Sequence, residues 1–162
     1  MGIVMGVCRY FIRDVKDTPI DRNILFKWAN DPITREMSLN PDPITPTEHQ
    51  WWFRQRLDKR RDSHPWHWWM LEGEGEGPIA CIRLDRGLLD RDSGLTGVEC
   101  YKVNIVVAPE RRGKGYGNAL LSASVNRVIR AGPQQLTLTA WIKPSNEASK
   151  KLLKGCGFTF RY

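Results

Sequence analysis

A short basic segment, PERRGKGYGNALL, constrains the fold of this chain more than any other stretch of its sequence. It places Gly113, Gly115 and Gly117 at alternate positions between an apolar run and an amphipathic run, as expected where a strand passes into a helix. Glycines let main-chain N–H groups approach a ligand without interference from a Cβ, and a helix N-terminus carries roughly half a positive charge. With Arg112 and Lys114 beside it, this turn predicts a cradle for a phosphate-bearing ligand.

The turn does not match either of two common nucleotide-binding motifs. It lacks the G-x-x-x-x-G-K-[ST] pattern of a P-loop, and Leu120 stands where G-x-G-x-x-G requires its last glycine. Neither ATP hydrolysis nor redox chemistry with a dinucleotide is therefore indicated.

The periodicity of the whole chain predicts an α/β fold with the order β-α-α-β-β-β-α-β-α-β. The β-α-β crossover around the glycine turn lies beside antiparallel hairpins, one of them closed by EGEGEG, so we expect a mixed, mainly antiparallel sheet flanked by helices. The strand-like runs are CRYFIRDV, WHWWMLEG, PIACIRLDR, VECYKVNIVVAP, QLTLTAWI and FTFRY. The helix-like runs are DRNILFKWAND, the segment ending TPTEHQWWFRQRLDKRRD, GNALLSASVNRVIRAG and SNEASKKLLKGCG.

Length and charge limit the possible classes of function. A chain of 162 residues predicts one domain, residues 1–162, and the formal charge of +7 predicts an anionic partner. Basic residues alternate with acids and no RNA- or DNA-binding motif accompanies them, which argues against nucleic acid. The sequence has no long apolar run and no secretory leader pattern at its start, so we expect no membrane span and a cytoplasmic location.

The cysteines and histidines predict no metal site. Cys8, Cys81, Cys100 and Cys156 are far apart and form no C-x-x-C pair. The three histidines have no zinc-like spacing with them. We therefore interpret the cysteines as structural thiols.

Two motifs in the C-terminal half resemble those of the GCN5-related N-acetyltransferase (GNAT) superfamily. Arg112, Gly115 and Gly117 fit its acetyl-CoA-binding pattern R/Q-x-x-G-x-G/A, and Asn146, Ser149 and the closing Gly-Phe of NEASKKLLKGCGF fall at the offsets of its second motif. The resemblance implies the GNAT fold and acetyl-CoA as co-substrate. It also implies direct transfer of acetyl to a primary amine in a ternary complex, without a metal.

The N-terminal half is similar to acetyltransferases that modify nucleotide-linked amino sugars in pseudaminic and related nonulosonic acid pathways. The similarity lies in FKWANDPITREMSLNPDPITPTEHQWWFRQRL. It implies an acceptor of that class, with Asn30, Arg35 and Trp52 as candidate acceptor-binding residues. Enzymes that acetylate protein N-termini or aminoglycosides share the W-x-N/S-D-P opening, so those acceptors remain alternatives, as does a CoA-binding module with weakened turnover.

The resemblance also implies which residues hold acetyl-CoA. The strand at 97–108 should diverge from its neighbour and leave main-chain groups of Ile105 and Val107 for the pantetheine arm, because an amide-rich arm can complete an open strand edge. An N–H near Ile105 or Val106 would polarise the thioester carbonyl. The further cofactor-binding candidates are Arg112, Gly113, Lys114, Gly115, Tyr116, Gly117 and Asn146.

Candidate proton acceptors for the amine are Glu99, Glu48 and His49. Glu99 shares strand parity with Ile105 but is equally interpreted as a paired edge carboxylate, and His49 as a capping or packing residue. Leu153 occupies the position where related enzymes often place a Tyr that protonates the thiolate. Ser149, Tyr116, Tyr101 or water are the remaining candidates for that role.

Some of the seven tryptophans should face outward, because those in WHWWM alternate across a strand and Trp51 and Trp52 straddle a helix. We interpret them as ordinary core or dimer contacts, with a surface for stacking a base or sugar as the alternative. The short C-terminal strand FTFRY also suggests an incomplete sheet edge and a possible homodimer.

Overall fold

A computed structural model describes residues 9–58, 67–86, 99–131 and 136–160. Cys8, Trp66, Gly132 and the side chain of Glu99, which the sequence interpretation used, lie outside the described residues.

The described residues form a single five-stranded sheet in the order β1-β2-β3-β4-β5. The first three pairings are antiparallel and the last is parallel, which confirms the expected mixed sheet. The strands are β1 (Tyr10–Asp14), β2 (His67–Gly73), β3 (Gly77–Arg86), β4 (Glu99–Val107) and β5 (Leu136–Thr139).

Helices cover both faces of this sheet, and side chains cap most of their N-termini. The helices are α1 (Pro19–Ala29), α2 (Pro32–Met37), α3 (Pro46–Leu57), α4 (Tyr116–Arg130) and α5 (Glu147–Gly155). Four of them begin at a residue whose side chain accepts a hydrogen bond from the first turn: Thr18, Asp31, Thr45 and Asn146. The start of α4 is different, because its N-cap is Gly115.

The observed order differs from the expected one at two places. The Asp31-Pro32 pair, expected only to end a helix, also starts a third early helix, because Asp31 accepts from the Thr34 N–H and proline is favourable at the first helical position. At the other end, residues 158–160 form no strand. Phe158 and Phe160 nevertheless pack against the core.

The two faces of β4 separate two apolar clusters. Tyr101 and Val103 pack with Ile82 and Leu84 against α4 and α5. The opposite face of the sheet, with Cys81 and Val106, packs against α1 and α3.

Three helical side chains differ in how far the fold buries them. Trp51 is 65% exposed, and His49 and Phe53 fill the buried face of α3. Ile129, near the end of α4, is 52% exposed. Asp21 is buried in α1 and binds the guanidinium of Arg13 through both carboxylate oxygens.

Candidate active site

An open cleft lies where β4 and β5 diverge, and we call it the β4–β5 cleft. The two strands pair only as far as Lys102 and Thr139. Beyond that point a cleft of about 460 Å³ separates β4 from residues 140–142 and the start of α5. Ile105 and Val107 line it, as expected for main-chain groups that an amide-rich ligand can complete.

The glycine turn at the start of α4 leaves backbone N–H groups without a side-chain partner. Gly113 and Gly115 adopt left-handed conformations with φ of 75° and 83°, which L side chains adopt at a cost. A Cβ at either position would meet no atom of the described residues within 4 Å, so the space beside both glycines is open. No side chain caps α4. The turn therefore fits the pyrophosphate of acetyl-CoA, and the open β4 edge fits its pantetheine amides.

Gly117 has a packing role in addition to the phosphate contact expected from the sequence. It is buried in the first turn of α4, and a Cβ there would overlap the Leu152 side chain and lie 3.6 Å from Val107 Cγ2. The absence of a side chain at Gly117 thus allows α4 and α5 to pack closely.

Arg112 joins the glycine turn to α2. Its guanidinium donates to Asp31 Oδ2 at 2.6 Å and to the Thr34 hydroxyl at 2.9 Å. Burial disfavours the charge on Asp31, but the bonds from Arg112 and Thr34 outweigh it and hold the pKa of Asp31 below its usual value. Arg112 also lines the β4–β5 cleft, so this residue of the glycine turn contacts α2 and borders the cleft.

Two other residues of the turn lie away from the cleft lining. Lys114 is exposed. The Tyr116 hydroxyl lies 3.1 Å from the Tyr10 hydroxyl, and the two rings meet edge to face. Tyr116 therefore ties the start of α4 to β1.

The beginning of α5 closes the far side of the β4–β5 cleft. Asn146 Oδ1 accepts from the Ser149 N–H and caps the helix, and both residues line the cleft. Leu153 is buried beside them. Of the hydroxyl candidates for thiolate protonation, Ser149 lines the cleft, whereas Tyr101 is buried in the core.

A second cleft, which we call the α3 cleft, adjoins the first. It has a volume of about 570 Å³, and Arg35, His49, Trp52 and Arg83 are among its lining residues. The two clefts share Thr34, Asn104, Ile105 and Val106. A ligand in one can therefore reach a ligand in the other at the C-terminal half of β4.

Arg35 and Asn30 shape the wall of the α3 cleft. Arg35 donates to the carbonyl oxygens of Ala29, Asn40 and Asp42 and to the Ser38 hydroxyl. None of these acceptors is a carboxylate, so they do not neutralise the charge of Arg35. Burial lowers the pKa of Arg35, but a guanidinium remains charged in a protein.

Asn30 is outside the lining of both clefts. Its side-chain amide pairs with the backbone of Ile44 at 3.0 and 2.8 Å and so fixes the loop that forms the cleft wall. Asn30, predicted to bind the acceptor, therefore supports the wall of the α3 cleft without lining it.

His49 and Trp52 belong to an aromatic group inside the α3 cleft. The His49 ring stacks on Phe53 with centroids 6.0 Å apart and lies 5.5 Å from Trp52. Its Nε2 is buried without a hydrogen-bond partner among the described residues. Burial, together with the positive charge of Arg22, lowers the pKa of His49, so the ring is neutral at pH 7.

Glu48 takes part in the cap of α3. Its carboxylate accepts from the hydroxyl and the N–H of Thr45 at 2.7 and 2.8 Å, and these bonds lower the pKa of Glu48. Glu48 also lines the α3 cleft, but its carboxylate is held by this capping box.

Glu99 is placed by its backbone at the opposite end of β4 from the junction of the clefts. It pairs with Leu136, where β4 and β5 are still joined. From Glu99 to Ile105 is roughly 20 Å of extended strand at about 3.3 Å per residue. The register therefore argues against Glu99 as the proton acceptor at Ile105.

Three polar residues at the junction were not among the sequence-derived candidates. Arg83 Nε donates to Asp85 Oδ1 at 2.7 Å, and Asn104 Nδ2 donates to Asp85 Oδ2 at 3.0 Å. The Arg83 guanidinium also lies 5.0 Å from the ring centroid of Trp52. The available signal was an Asn within the run YKVNIVV, because Asn is depleted in strands and needs a reason there.

Cys81 lines the α3 cleft but is not a reactive thiol. Burial raises the pKa of Cys81 to about 12, although the Trp68 indole donates to its sulfur at 3.0 Å. At neutral pH it is protonated and cannot act as a nucleophile.

The part of the chain that the structure describes holds neither a metal-binding cluster nor a helix that could span a membrane. No group of three or more His, Cys, Asp or Glu side chains there could hold a metal ion. No helix among these residues has the length and apolar character to cross a bilayer.

Comparison with known families gives a match along most of the chain. A profile of the acetyltransferase (GNAT) domain matches residues 9–159. A search of the curated proteins finds no significant match.

Solved structures share the same fold. An N-acetyltransferase from Staphylococcus aureus Mu50 has a TM-score of 0.70 at 24% identity, over 95% of this chain and 86% of that chain. Spermidine N-acetyltransferase from Vibrio cholerae, in complex with CoA and spermine, has a TM-score of 0.72 at 14% identity, over 94% of this chain and 82% of the other. A phosphinothricin acetyltransferase from Sinorhizobium meliloti, in complex with acetyl-CoA, has a TM-score of 0.69 at 19% identity, over 94% and 76%.

Proposed function

This chain belongs to the acetyltransferase (GNAT) domain family and is an acetyl-CoA-dependent N-acetyltransferase, and we propose that its acceptor is the primary amine of a nucleotide-linked amino sugar. The observation that carries the proposal is the α3 cleft, which meets the β4–β5 cleft at Asn104–Val106 and holds two guanidinium groups beside an indole. Guanidinium groups suit a diphosphate, and an indole face suits a base or sugar ring.

The charge of Arg35 favours an acceptor that carries an anionic group. Arg35 has no carboxylate among its hydrogen-bond partners, and the net charge of the chain is +7. Asp42 and Glu48 also line the cleft and Arg83 is paired with Asp85, so the charge that attracts a diphosphate is that of Arg35. Trp52 lies under the guanidinium of Arg83, so both can face the same ligand.

The residues of the β4–β5 cleft would hold and orient the co-substrate. Acetyl-CoA, when bound, supplies an activated acetyl thioester. The open edge of β4 at Ile105 and Val107 offers main-chain groups to amides, and the N–H groups from Gly113 to Gly117 offer donors to phosphates. Asn146 lines the opposite wall. Holding both substrates at the junction would provide the proximity on which direct transfer depends.

His49 is the proposed proton acceptor among the three candidates. It lines the α3 cleft, it is neutral, and its Nε2 has no partner within the described residues. The Glu48 carboxylate is engaged by Thr45, and Glu99 lies at the far end of β4. A neutral imidazole can accept a proton from the incoming ammonium directly or through water.

One experiment tests the acceptor class. Acetyl transfer is measured in parallel with a UDP-linked 4-amino sugar, spermine, an aminoglycoside and a basic peptide with a free N-terminus. We expect the highest kcat/KM with the UDP-linked amino sugar. A higher value with the peptide or the aminoglycoside would replace the proposed acceptor. If none of these amines causes thiol release from acetyl-CoA, the alternative of a CoA-binding module with weakened turnover is favoured. Leu153, which stands where related enzymes often have a Tyr, is consistent with that alternative.

Arg35→Ala and Arg83→Ala provide a second check on the diphosphate. Loss of a contact that is equal in the ground and transition states raises the acceptor KM while the KM for acetyl-CoA stays the same. The homodimer and the cytoplasmic location stay predictions from the sequence.

A further inference from the structure

Asn104 occupies the one stretch of β4 that faces both clefts. It lies directly opposite Arg83 in the β3–β4 register, on the face of the sheet that packs against α1 and α3. The residue lines the β4–β5 cleft and the α3 cleft. Of the four residues shared by the two clefts, Asn104 and Thr34 have polar side chains, and the Thr34 hydroxyl is already bonded to Asp31 and Arg112.

Asp85 fixes the orientation of the Asn104 amide. An ionised carboxylate only accepts hydrogen bonds, so the Asn104 group that lies 3.0 Å from Asp85 Oδ2 must be the NH₂ group. Arg83 holds the other carboxylate oxygen of Asp85 at 2.7 Å. The amide oxygen of Asn104 is thereby directed away from Asp85 and has no partner among the described residues.

We propose that Asn104 Oδ1 accepts a hydrogen bond from an N–H of the acceptor amine, and that Asp85 is a positioning residue that acts through Asn104. A primary amine that donates one N–H to Oδ1 keeps its lone pair free for the thioester carbonyl, and the proton that it loses goes to the base. The inference rests on the proposed function in that the acceptor must be an amine that enters from the α3 cleft. It adds the requirement that the amine still has an N–H to donate after it has been deprotonated.

The test separates contact with the amine from contact with the rest of the acceptor. Asn104→Leu keeps the shape of the side chain and removes both polar atoms. Calorimetry on enzyme saturated with CoA, in which no transfer takes place, is carried out with a UDP-linked 4-amino sugar and with UDP alone. We expect roughly tenfold weaker binding of the amino sugar to the variant, the loss of one hydrogen bond, with UDP binding and CoA affinity unchanged.

A double-mutant cycle tests the role of Asp85. The amide introduced by Asp85→Asn can both donate and accept, so it no longer fixes which end of Asn104 faces the amine. We expect a rise in acceptor KM smaller than that of Asn104→Leu. Because Asp85 also holds Arg83, the combined changes should raise KM by more than Asn104→Leu alone but by less than the two separate effects together. Additive effects would show that Asp85 acts independently of Asn104 and would overturn its positioning role.

The outcomes distinguish this inference from the proposed function. If the wild type and Asn104→Leu bind the UDP-linked amino sugar equally well, the Asn104 contact is overturned and the proposed acceptor class still stands. If the wild type acetylates spermine or the peptide instead, the acceptor class fails, and the same variant is tested with that amine. An unchanged KM and kcat there would overturn the Asn104 contact, and a raised KM with an unchanged melting temperature would support it.

Discussion

Gly115 and Gly117 are two residues apart and are glycine for different physical reasons. Gly115 needs its φ of 83° and borders open space, whereas Gly117 has no room for a Cβ beside Leu152. Substitution of Gly117 therefore disturbs the packing of α4 on α5 and cannot isolate the phosphate contact. Gly115 is the position at which charge can be tested with little effect on packing.

The first prediction compares Gly115→Asp with Gly115→Asn. Both side chains have the same shape and tolerate the left-handed conformation better than most, so the strain is common to the two variants. We expect acetyl-CoA to bind the Asp variant more weakly than the Asn variant by about 1 to 3 kcal/mol, because a carboxylate repels a pyrophosphate. Calorimetry measures the difference, and added salt should reduce it. Equal affinities would contradict the phosphate assignment of the turn.

His49 links stability to pH through its burial. The ring is neutral in the fold because burial lowers its pKa, and in the unfolded chain it titrates near about 6.5. Below that pH the unfolded state binds a proton that the folded state does not, so His49 destabilises the fold as the pH falls.

The second prediction concerns His49→Phe. Phenylalanine suits the aromatic contacts of Phe53 and Trp52 and cannot titrate. Between about pH 8 and about pH 5 the free energy of unfolding should fall less in the variant than in the wild type, as denaturant titrations at each pH will show. If the two proteins lose stability in parallel, His49 is not neutral in the fold. A concurrent loss of kcat in the variant would support its proposed role as proton acceptor.

At the scale of elements, one ion pair connects the cofactor turn with the acceptor side. Arg112 precedes α4, and its partner Asp31 caps α2, which carries Thr34 and Arg35 into the α3 cleft. Because α2 is only 6 residues long, it depends on such contacts for its position. The position of α2 in the wall of the α3 cleft thus depends on the glycine turn that is proposed to bind acetyl-CoA.

The third prediction compares Arg112 and Lys114, two of the three cations of the turn. Arg112→Ala should lower the free energy of unfolding by about 1 kcal/mol and raise the acceptor KM as well as the KM for acetyl-CoA, because α2 loses its tether. Lys114→Ala is the control, since Lys114 is exposed and outside both cleft linings, and it should affect acetyl-CoA alone. Two-substrate steady-state kinetics measure both constants. A similar rise in acceptor KM for the two variants would show that the tether is unimportant.

The sequence predicted the five described strands and the start of α4, because both depend on local patterns, but it also predicted a last strand that residues 158–160 do not form. Strand alternation placed β1 to β5, and the glycine turn placed the start of α4. The α3 cleft was less accessible, since it forms where segments far apart in the chain meet. The Asp31–Arg112 pair, the Asn30–Ile44 clamp and the Asp85–Asn104 bond all join different elements, and no periodicity indicates such partners.

At the scale of the whole molecule, a basic protein will attract many anions, and specific binding must be separated from general attraction. The formal charge is +7, and 25 Lys and Arg residues are distributed along the chain. Charge alone would make ATP, NADH and acetyl-CoA similar ligands. We expect the β4–β5 cleft, with a volume of about 460 Å³, to distinguish them, because its open strand edge suits the pantetheine arm that only acetyl-CoA possesses.

The fourth prediction follows from that difference. A ligand that binds only the folded state at a concentration of 100 times its Kd stabilises it by about 2.7 kcal/mol, which corresponds to a rise in Tm of roughly 5 to 10 °C for a chain of this size. We expect acetyl-CoA to produce such a rise and ATP and NADH at equal concentration to produce much smaller ones, as measured by scanning calorimetry. Repetition at high salt provides the control, because screening weakens general attraction to a charged surface more than contacts inside a cleft. Suppose that all three ligands raise the Tm equally and that high salt removes all three rises. The cleft then does not select the pantetheine arm, and the assignment of the β4 edge is wrong.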